Sequence, residues 1–362
     1  MQCLRENLFK PIMTPNFTEV TTSRPLKNAD LTSKGLLVTA FTLILSIGVV
    51  GNLFVIYVFG RKLKSNHRST TELLILYLGI TDLLSSMLNP SLYIYWTLTN
   101  FSRWDFGNFG CHIFPTIGPI MTSISSGLLI TFAIDRYVAI VTPFRGTLSR
   151  KTVSIAFIIN IVISTCFYFP YIFALKFDPI LKICKIPYPN NNSYGVPNCI
   201  FIILRLCLFA TVFSFTNIKI FKTLKKRNTS FKRMEDRVER LKQSKKIMGI
   251  LFTMEVVFTL LVFPRELFYL GYNLFILSTK NSMYSSPTLT QINSWLKVAH
   301  TANSCANIFI YSNMHTVYRK HIIRTFLYFG NLKRSRKLSY PTTSYSSEKR
   351  SSFMKQLSLK IK

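Results

Sequence analysis

The sequence predicts an all-α membrane protein, a seven-transmembrane helix bundle followed by a C-terminal amphipathic surface helix. Hydrophobic residues make up 49% of the 362 residues and charged residues only 16%, yet the net charge is +31. A soluble protein with that apolar content has little surface left for so many cations. The contradiction disappears if the apolar segments lie in lipid and the cations lie in the loops between them.

The apolar residues fall into seven stretches, each long enough to cross the roughly 30 Å of hydrocarbon in a bilayer. The fifth and seventh are the weakest, because Arg205 interrupts one and Lys297 and His300 interrupt the other, and a six-span arrangement stays open. Residues 314–330 are predicted to form the surface helix, and residues 331–362 a disordered, basic, Ser-rich tail. The predicted spans cover residues 36–60, 73–97, 110–141, 153–175, 199–222, 246–277 and 291–313.

The distribution of Lys and Arg predicts the orientation in the plasma membrane. Segment 219–246 holds twelve Lys and Arg residues, and the segment after the seventh span holds another twelve against Glu348 alone. By the positive-inside rule both segments are cytoplasmic, and residues 1–35, ahead of a bundle over 36–313, are extracellular. Three N-glycosylation sequons map to the same outer side, at Asn16, Asn100 and Asn191.

An acid, an arginine and an aromatic close the third apolar stretch, in the sequence Asp135-Arg136-Tyr137. Charged groups at the end of a hydrophobic segment are costly to bury. The loop charges put this end on the cytoplasmic side. We therefore expect the triplet to be held charged at the membrane edge, where a partner could reach it.

Further polar residues lie deep inside the predicted spans. A lone buried carboxylate such as that of Asp82 costs several kcal/mol unless other groups satisfy it. Hydroxyl and amide oxygens converging on it could hold a small hard cation such as sodium, or a water cluster. A purely structural hydrogen-bond network between helices is the alternative. The polar residues in question are Asn52, Asp82, Ser125, Asn303, Ser304 and Asn307.

The order and spacing of these features resemble a rhodopsin-like (class A) G-protein-coupled receptor over residues 36–329. The end of the seventh span also resembles, more faintly, the invertebrate neuropeptide receptors of the FMRFamide type. No single motif is diagnostic, but together they are specific. The resemblance rests on Gly51-Asn52, Asp82, Cys111, Asp135-Arg136-Tyr137, Phe258 with Pro264, and Asn307 with Tyr311.

The resemblance implies a switch at the cytoplasmic side. Arg136 would meet a heterotrimeric G protein, and Asp135 would hold it at rest by a charge-assisted bond. Tyr311 would swing inward on activation. Phosphorylation of the Ser-rich tail by receptor kinases would create an arrestin-binding segment, and the surface helix would contact membrane lipids.

Two further sites follow from the resemblance. Asp82, Ser125, Asn303 and Asn307 match the family's allosteric sodium site, and no other cofactor is expected. Cys111 matches a cysteine that ties the third span to the second outer loop. Its partner would be Cys184 or Cys199, and Cys184 is favoured.

Several positions depart from the family pattern. Ile308 stands where the seventh span usually has proline, and Val262 where the sixth usually has an aromatic switch. Ser244 stands where many members place an acid that pairs with Arg136. The resting state is therefore expected to be held less firmly, with ligand-free signalling that rises further on Asp135→Ala.

The outer half of the bundle carries unusual charges, which predict an anionic ligand. Ionisable groups inside a membrane normally face a cavity and mark a ligand or a pathway. Gly118 stands where amine-binding members place an aspartate, which argues against a monoamine. A peptide with an anionic group is favoured, and a lipid or small acidic ligand is the alternative; Glu266 could instead staple the spans by pairing with Lys297 or Arg205. The predicted pocket comprises Gly118, Arg205, Val262, Arg265, Glu266, Lys297 and His300.

Other classes of protein fit less well. A transporter often shows internal repeats, and none is found. A retinal-binding protein could use Lys297, but Glu266 is the only acid near it and the third span has no acid before Asp135. No nucleophile–base pair or metal motif indicates an enzyme, and the basic charge is split among loops, which argues against nucleic acid.

Overall fold

Seven long helices and one β-hairpin make up the part of the chain that the computed structural model describes. That part comprises residues 31–60, 69–142, 146–185, 192–230, 235–279, 287–314, 318–319 and 322–323. The elements are α1 (Leu31–Gly60), α2 (Thr70–Thr99), α3 (Gly107–Val141), α4 (Arg150–Ala174), β1 (Lys176–Asp178), β2 (Ile183–Lys185), α5 (Asn192–Ser230), α6 (Glu235–Thr279) and α7 (Pro287–Met314).

The seven helices correspond one to one with the seven predicted spans and run several residues further at most ends. Six of them are long and apolar enough to cross a membrane by length and composition. The exception is α7, the helix whose predicted span was weakened by Lys297 and His300. It nevertheless packs against α1, α2 and α6. The described chain is thus a seven-helix bundle with one polar helix inside it.

Most of the C-terminal segment lies outside the described residues. Residues 316–362 form a unit separate from 1–315. Within the predicted surface helix at 314–330, four described residues of that unit are helical, namely Tyr318, Arg319, Ile322 and Ile323. The predicted tail at 331–362 and the predicted N-terminal segment, apart from its last five residues, lie outside the description.

Side-chain caps fix where two of the helices begin. Ser69 caps α2 by accepting a bond from the backbone N–H of Glu72 at 3.2 Å, and the Glu72 carboxylate accepts one from the Ser69 N–H at 3.4 Å. This reciprocal pair satisfies two of the free N–H groups at a helix start. Ser149 caps α4 by accepting a bond from the Thr152 N–H at 3.0 Å. Both starts lie at the end of the bundle that holds Arg136.

The central helix is α3, and α4 lies at the periphery with only Val153 and Ser164 buried. Polar contacts therefore hold α4 in place. The Asn160 amide donates to the Ile124 carbonyl at 2.7 Å, and the Ser164 hydroxyl donates to the Ser123 hydroxyl at 3.1 Å. The half-buried Asn160 bond ties the middle of α4 to α3.

A disulfide joins Cys111 at the start of α3 to Cys184 in β2, and we refer to this side of the bundle as the disulfide end. Cys199, the other predicted partner, is buried and free within α5. Strand β1 pairs antiparallel with β2. Helix α5 begins at Asn192, seven residues before the predicted span at 199–222.

Aromatic packing and local charge hold the hairpin on the bundle. Trp104 is buried, donates its indole N–H to the Gly107 carbonyl at 2.9 Å, and donates its backbone N–H to Lys182 at 2.6 Å. The turn is closed by Asp178, which accepts bonds from the Leu181 N–H and the Lys185 ammonium at 3.0 and 2.9 Å. These donors hold the pKa of Asp178 below its ordinary value.

Breaking the disulfide should destabilise the helix bundle. Cys184→Ser is expected to lower the free energy of unfolding by about 2–4 kcal/mol, because the cross-link constrains the unfolded chain. A melting curve of the purified protein in detergent measures this. Cys166→Ser is the matched control, since Cys166 is free and exposed. Equal melting temperatures for both variants would contradict the expectation.

Candidate functional site

A buried polar cluster joins α2, α3 and α7 near the middle of the bundle. Asp82 is only 1% exposed. Its carboxylate accepts a bond from the Ser125 hydroxyl at 3.1 Å and one from the Asn307 amide at 2.9 Å. Asn303 is buried one turn earlier on α7, and the Asn52 amide ties α1 to the Ser304 carbonyl at 2.8 Å.

The chemistry of this cluster suits a hard cation or water. Among the described residues no group of three or more His, Cys, Asp or Glu could hold a metal ion, so no site of the zinc type is present there. The cluster instead offers one carboxylate with hydroxyl and amide oxygens, which hard cations prefer. The residues thus fit the predicted sodium site, with Asp82 as its only charge.

The predicted switch triplet lies at the opposite end from the disulfide. Asp135 is fully buried and forms an ion pair with Arg136, whose Nε lies 3.1 Å from the carboxylate. The Thr70 hydroxyl and the Leu148 backbone N–H donate to the same carboxylate at 3.1 and 3.2 Å. Asp135 is therefore held from α2 and from the segment before α4. Tyr137 packs on Phe215 of α5, with ring centroids 5.6 Å apart.

Within the described residues, the recorded bonds of Arg136 run to Asp135 and to Thr70 at 3.5 Å. The restraint on Arg136 thus comes from α3 and α2. Ser244, on α6, is half-buried. The sequence did not identify Thr70 as part of this site. Its position at the start of α2, on the same side of the membrane as the triplet, was the signal that could have indicated it.

The other switch residues lie in the packed core between α5, α6 and α7. Phe258 stacks on Phe209 of α5 with centroids 4.9 Å apart, six residues before Pro264 in α6. Tyr311 is 1% exposed at the inner part of α7. Ile308 stands in place of the expected proline and lies against Gly51. A side chain at position 51 would clash with that of Ile308.

Glu255, whose role the sequence did not define, is 3% exposed and faces α5. Its carboxylate accepts a bond from the Asn217 amide at 2.5 Å. Its other oxygen is buried without a recorded hydrogen bond. This contact is a polar connection between α5 and α6 on the Arg136 side of Pro264.

A cavity of about 160 Å³ opens at the disulfide end. Of the seven predicted pocket residues, Arg265, Glu266 and Lys297 line it. A wider depression of about 360 Å³ lies along α7 alone, and no charged residue lines it. The cavity wall is otherwise mainly aromatic, with Tyr93, Trp96, Phe101, Pro115, Pro119, Tyr168, Tyr171, Tyr194, Asn198, Ile202, Tyr269 and Asn293.

The remaining predicted pocket residues lie outside that lining. Arg205 and Val262 border a small cavity of about 10 Å³ that also touches Glu266. His300 is buried with its Nε2 3.5 Å from the Glu266 carboxylate. Gly118 packs against the Asn89 amide and leaves no room for a side chain. A larger residue at this position would displace Asn89.

The charges in this region divide into a group that is paired with an acid and a group that contacts aromatic side chains. Glu266 forms a buried ion pair with Arg205 and contacts His300, so the predicted pairing with Arg205 is the one observed. Lys297 lies over the rings of Tyr93 and Phe101, 5.5 Å from each centroid. A cation over an aromatic face is attracted to the ring, but its charge is not neutralised.

Arg265 is the second cation of the cavity. Its Nη2 donates to the Tyr93 hydroxyl at 3.5 Å, and its Nε is buried without a recorded hydrogen bond. The tyrosines around it interact with each other, as Tyr194 and Tyr269 do through their hydroxyls at 2.8 Å. Sequence reasoning found both cations but missed these tyrosines, which sit among other apolar residues near the ends of α4, α5 and α6.

Removing the Thr70 hydroxyl should weaken the switch region. Thr70→Val is expected to cost about 1 kcal/mol in the free energy of unfolding, because a buried acceptor on Asp135 loses a donor. Thr70→Ser keeps the hydroxyl and serves as the control. Thermal unfolding of the two purified variants in one detergent measures the difference, and a Val variant as stable as the Ser variant would refute the role.

The chain is similar in sequence to several known proteins. Over 162 residues the chain is 32% identical to C-X-C chemokine receptor type 5 of Rattus norvegicus, covering 45% of this chain and 40% of that receptor. It is 28% identical to Melanopsin-A of Danio rerio over 291 residues, covering 76% and 47%. With neuropeptide Y receptor type 4 of Rattus norvegicus it shares 22% over 305 residues, covering 79% and 77%.

A solved structure and a family model match the chain as well. The crystal structure of squid rhodopsin superposes with a TM-score of 0.67 at 20% identity, covering 82% of this chain and 86% of that one. The family model for the 7 transmembrane receptor (rhodopsin family) matches residues 51–311. Members of this family are receptors rather than enzymes. The chain belongs to the rhodopsin family of seven-transmembrane receptors.

Proposed function

We propose that this multi-pass membrane protein is a plasma-membrane receptor that binds an extracellular peptide through an anionic group and activates a heterotrimeric G protein. The observation that carries the proposal is the pair of cations, Arg265 and Lys297, in an aromatic cavity at the disulfide end. The nearby acid, Glu266, is already engaged by Arg205 and His300. The cavity therefore has positive charge available for a ligand.

The disulfide end faces outward in this proposal. Disulfides form in oxidising compartments, and the Lys- and Arg-rich segments adjoin the other end, as the positive-inside rule requires. Asn100 is exposed at the disulfide end of α2, where a glycan could attach. Asn16 and Asn191, the other two predicted glycosylation sites, lie outside the described residues.

The size of the cavity favours the end of a peptide over a whole small molecule. Ligand pockets usually measure about 300–1,000 Å³, whereas this one measures about 160 Å³. It can admit a terminal group or one side chain while the rest of the ligand stays outside. Relatives named for neuropeptide Y and for C-X-C chemokines support the same class.

The charge of the cavity also distinguishes peptides that carry a carboxylate from peptides whose C-terminus is amidated. A carboxylate would form charge-assisted bonds with a guanidinium and an ammonium. An amidated C-terminus has no negative charge and would leave Arg265 and Lys297 unpaired in a desolvated site. We therefore favour a free C-terminus or an acidic side chain over an amidated peptide end. A lipid or small acid shares this chemistry and is the alternative.

Neutralising one cation should weaken ligand binding without unfolding the protein. Lys297→Met keeps an unbranched apolar stem over Tyr93 and Phe101, and is expected to lower agonist potency roughly ten- to a hundredfold, since hydrogen bonds to charged groups contribute about 1.5–3 kcal/mol. The assay screens peptides in free-acid and amide forms, and fatty acids, in cells with several Gα reporters. Surface expression is measured in parallel.

Lys219→Met is the matched control, because Lys219 is an exposed lysine of α5 far along the helix from the cavity. Its potency should equal that of the unmodified receptor. A free-acid peptide that acts on the Lys297 variant at unchanged potency would contradict the cation's role. A response to fatty acids but to no peptide would favour the alternative ligand class.

At the opposite end, Arg136 would be the contact for the G protein once the helices separate. In the resting arrangement it is paired with Asp135 and is only 7% exposed. Contact with Gα therefore requires this ion pair to open. Arrestin and receptor kinases would act on the Ser-rich tail, and anionic lipids on its basic residues.

We also propose that Asp82 holds a sodium ion together with oxygen atoms of Ser125, Asn303 and Asn307. Sodium chloride in place of choline chloride should raise the melting temperature of the purified protein, because an ion that binds only the folded state stabilises it by mass action. Asp82→Asn should abolish that rise. Glu255→Gln, a change at a buried acid elsewhere, should retain it, and a sodium effect that survives Asp82→Asn would exclude this site.

A further inference from the structure

One buried carboxylate connects three helices at the floor of the outer cavity. Glu266 of α6 forms an ion pair with Arg205 of α5, and the side chains are 9% and 10% exposed. Its second oxygen lies 3.5 Å from Nε2 of His300 on α7. In a low-dielectric interior, such contacts are much stronger than at a surface. This group, Glu266 with Arg205 and His300, is called the latch below.

The latch lies between the ligand cavity and the aromatic core of the bundle. Glu266 lines the outer cavity and also borders the small cavity beneath it, together with Arg205, Phe258 and Val262. Phe258 packs in turn on Phe209. An occupant of the outer cavity would therefore touch the latch directly, and a movement of Glu266 would reach the aromatic core at once.

A buried ion pair restrains a helix strongly because separating its members exposes two uncompensated charges. If α6 moves away from α5 and α7, Glu266 must leave Arg205 and His300. Val262, one turn before Glu266 on α6, has too small a side chain to provide a comparable restraint. The latch is thus a contact in the outer half of α6 that is costly to separate.

We propose that the latch holds α6 in its resting position against α5 and α7, and that opening the latch moves the Arg136 end of α6 away from the bundle. The connection to a ligand rests on the function proposed above, since a ligand in the outer cavity would touch Glu266, which lines it. The restraint itself does not depend on that function. It can be measured without a ligand or a G protein.

The test measures a distance across the Arg136 end of the purified receptor. Spin labels are attached at Lys151→Cys on α4 and Lys246→Cys on α6, both exposed positions. Cys3, Cys166 and Cys207 are replaced by serine to remove other reactive thiols. Double electron–electron resonance then gives the distance distribution in the unmodified latch and in Glu266→Gln.

The expected result is a longer distance population that rises severalfold above a minor state of roughly 0.1–10%. The charge-exchanged variant, Arg205→Glu with Glu266→Arg, should return the distribution to that of the parent. Lys219→Gln, which removes an exposed charge from α5, should leave it unchanged. Restoration by exchange separates a specific ion pair from general loosening of the bundle.

Because Glu266→Gln leaves Arg205 without its partner, it could fail to fold. Arg205→Gln with Glu266→Gln removes both charges and serves as the second variant, with the same increase expected. A parental distribution in every folded variant that lacks the ion pair would overturn the latch. An increase in these variants together with no response to any peptide or acid would support the latch and reject the proposed function, so the two results are distinguishable.

Discussion

The structure depends on the cost of placing charge in a medium that cannot solvate it. Each buried acid in the described helices has a partner on another element. Asp82 is met by Ser125 and Asn307, and Asp135 by Arg136, Thr70 and the Leu148 backbone. Glu255 is met by Asn217 and Glu266 by Arg205 and His300. These four contacts link all the helices from α2 to α7 except α4, which hydrogen-bonds through neutral groups instead. Solvating these acids therefore requires α2, α3 and α7 to adjoin, and likewise α5, α6 and α7.

The fold could be predicted from the sequence to the level of helix number and order, because a span in lipid must satisfy its own backbone and must therefore be a long apolar helix. The seventh span, α7, has low hydrophobicity because it carries polar residues. Those residues contact partners on other helices inside the bundle. The helix ends were less predictable. They depend on caps such as Ser69, and α5 begins at Asn192, seven residues before the predicted span at 199–222.

The candidate site was predictable where a charge marked it. Arg265, Lys297 and Glu266 stand out in an apolar sequence, whereas the tyrosines that form the wall resemble ordinary membrane aromatics. Pairing was not predictable, because Glu266 had two cations within plausible reach and only the rotation of α5 against α6 decides for Arg205. The role of Thr70 was also not predictable from the sequence. Its partner Asp135 is distant in sequence and is brought near by the packing of α2 on α3.

The two cations that line the cavity are the exception to the rule that governs the rest of the bundle. Lys297 rests on aromatic rings and Arg265 on a tyrosine hydroxyl, contacts that lower the cost of a charge without cancelling it. Glu266, the next residue in the sequence, interacts electrostatically with Arg265, but its carboxylate is paired with Arg205. The proposed affinity of the cavity for an anion therefore rests on the two charges of Arg265 and Lys297.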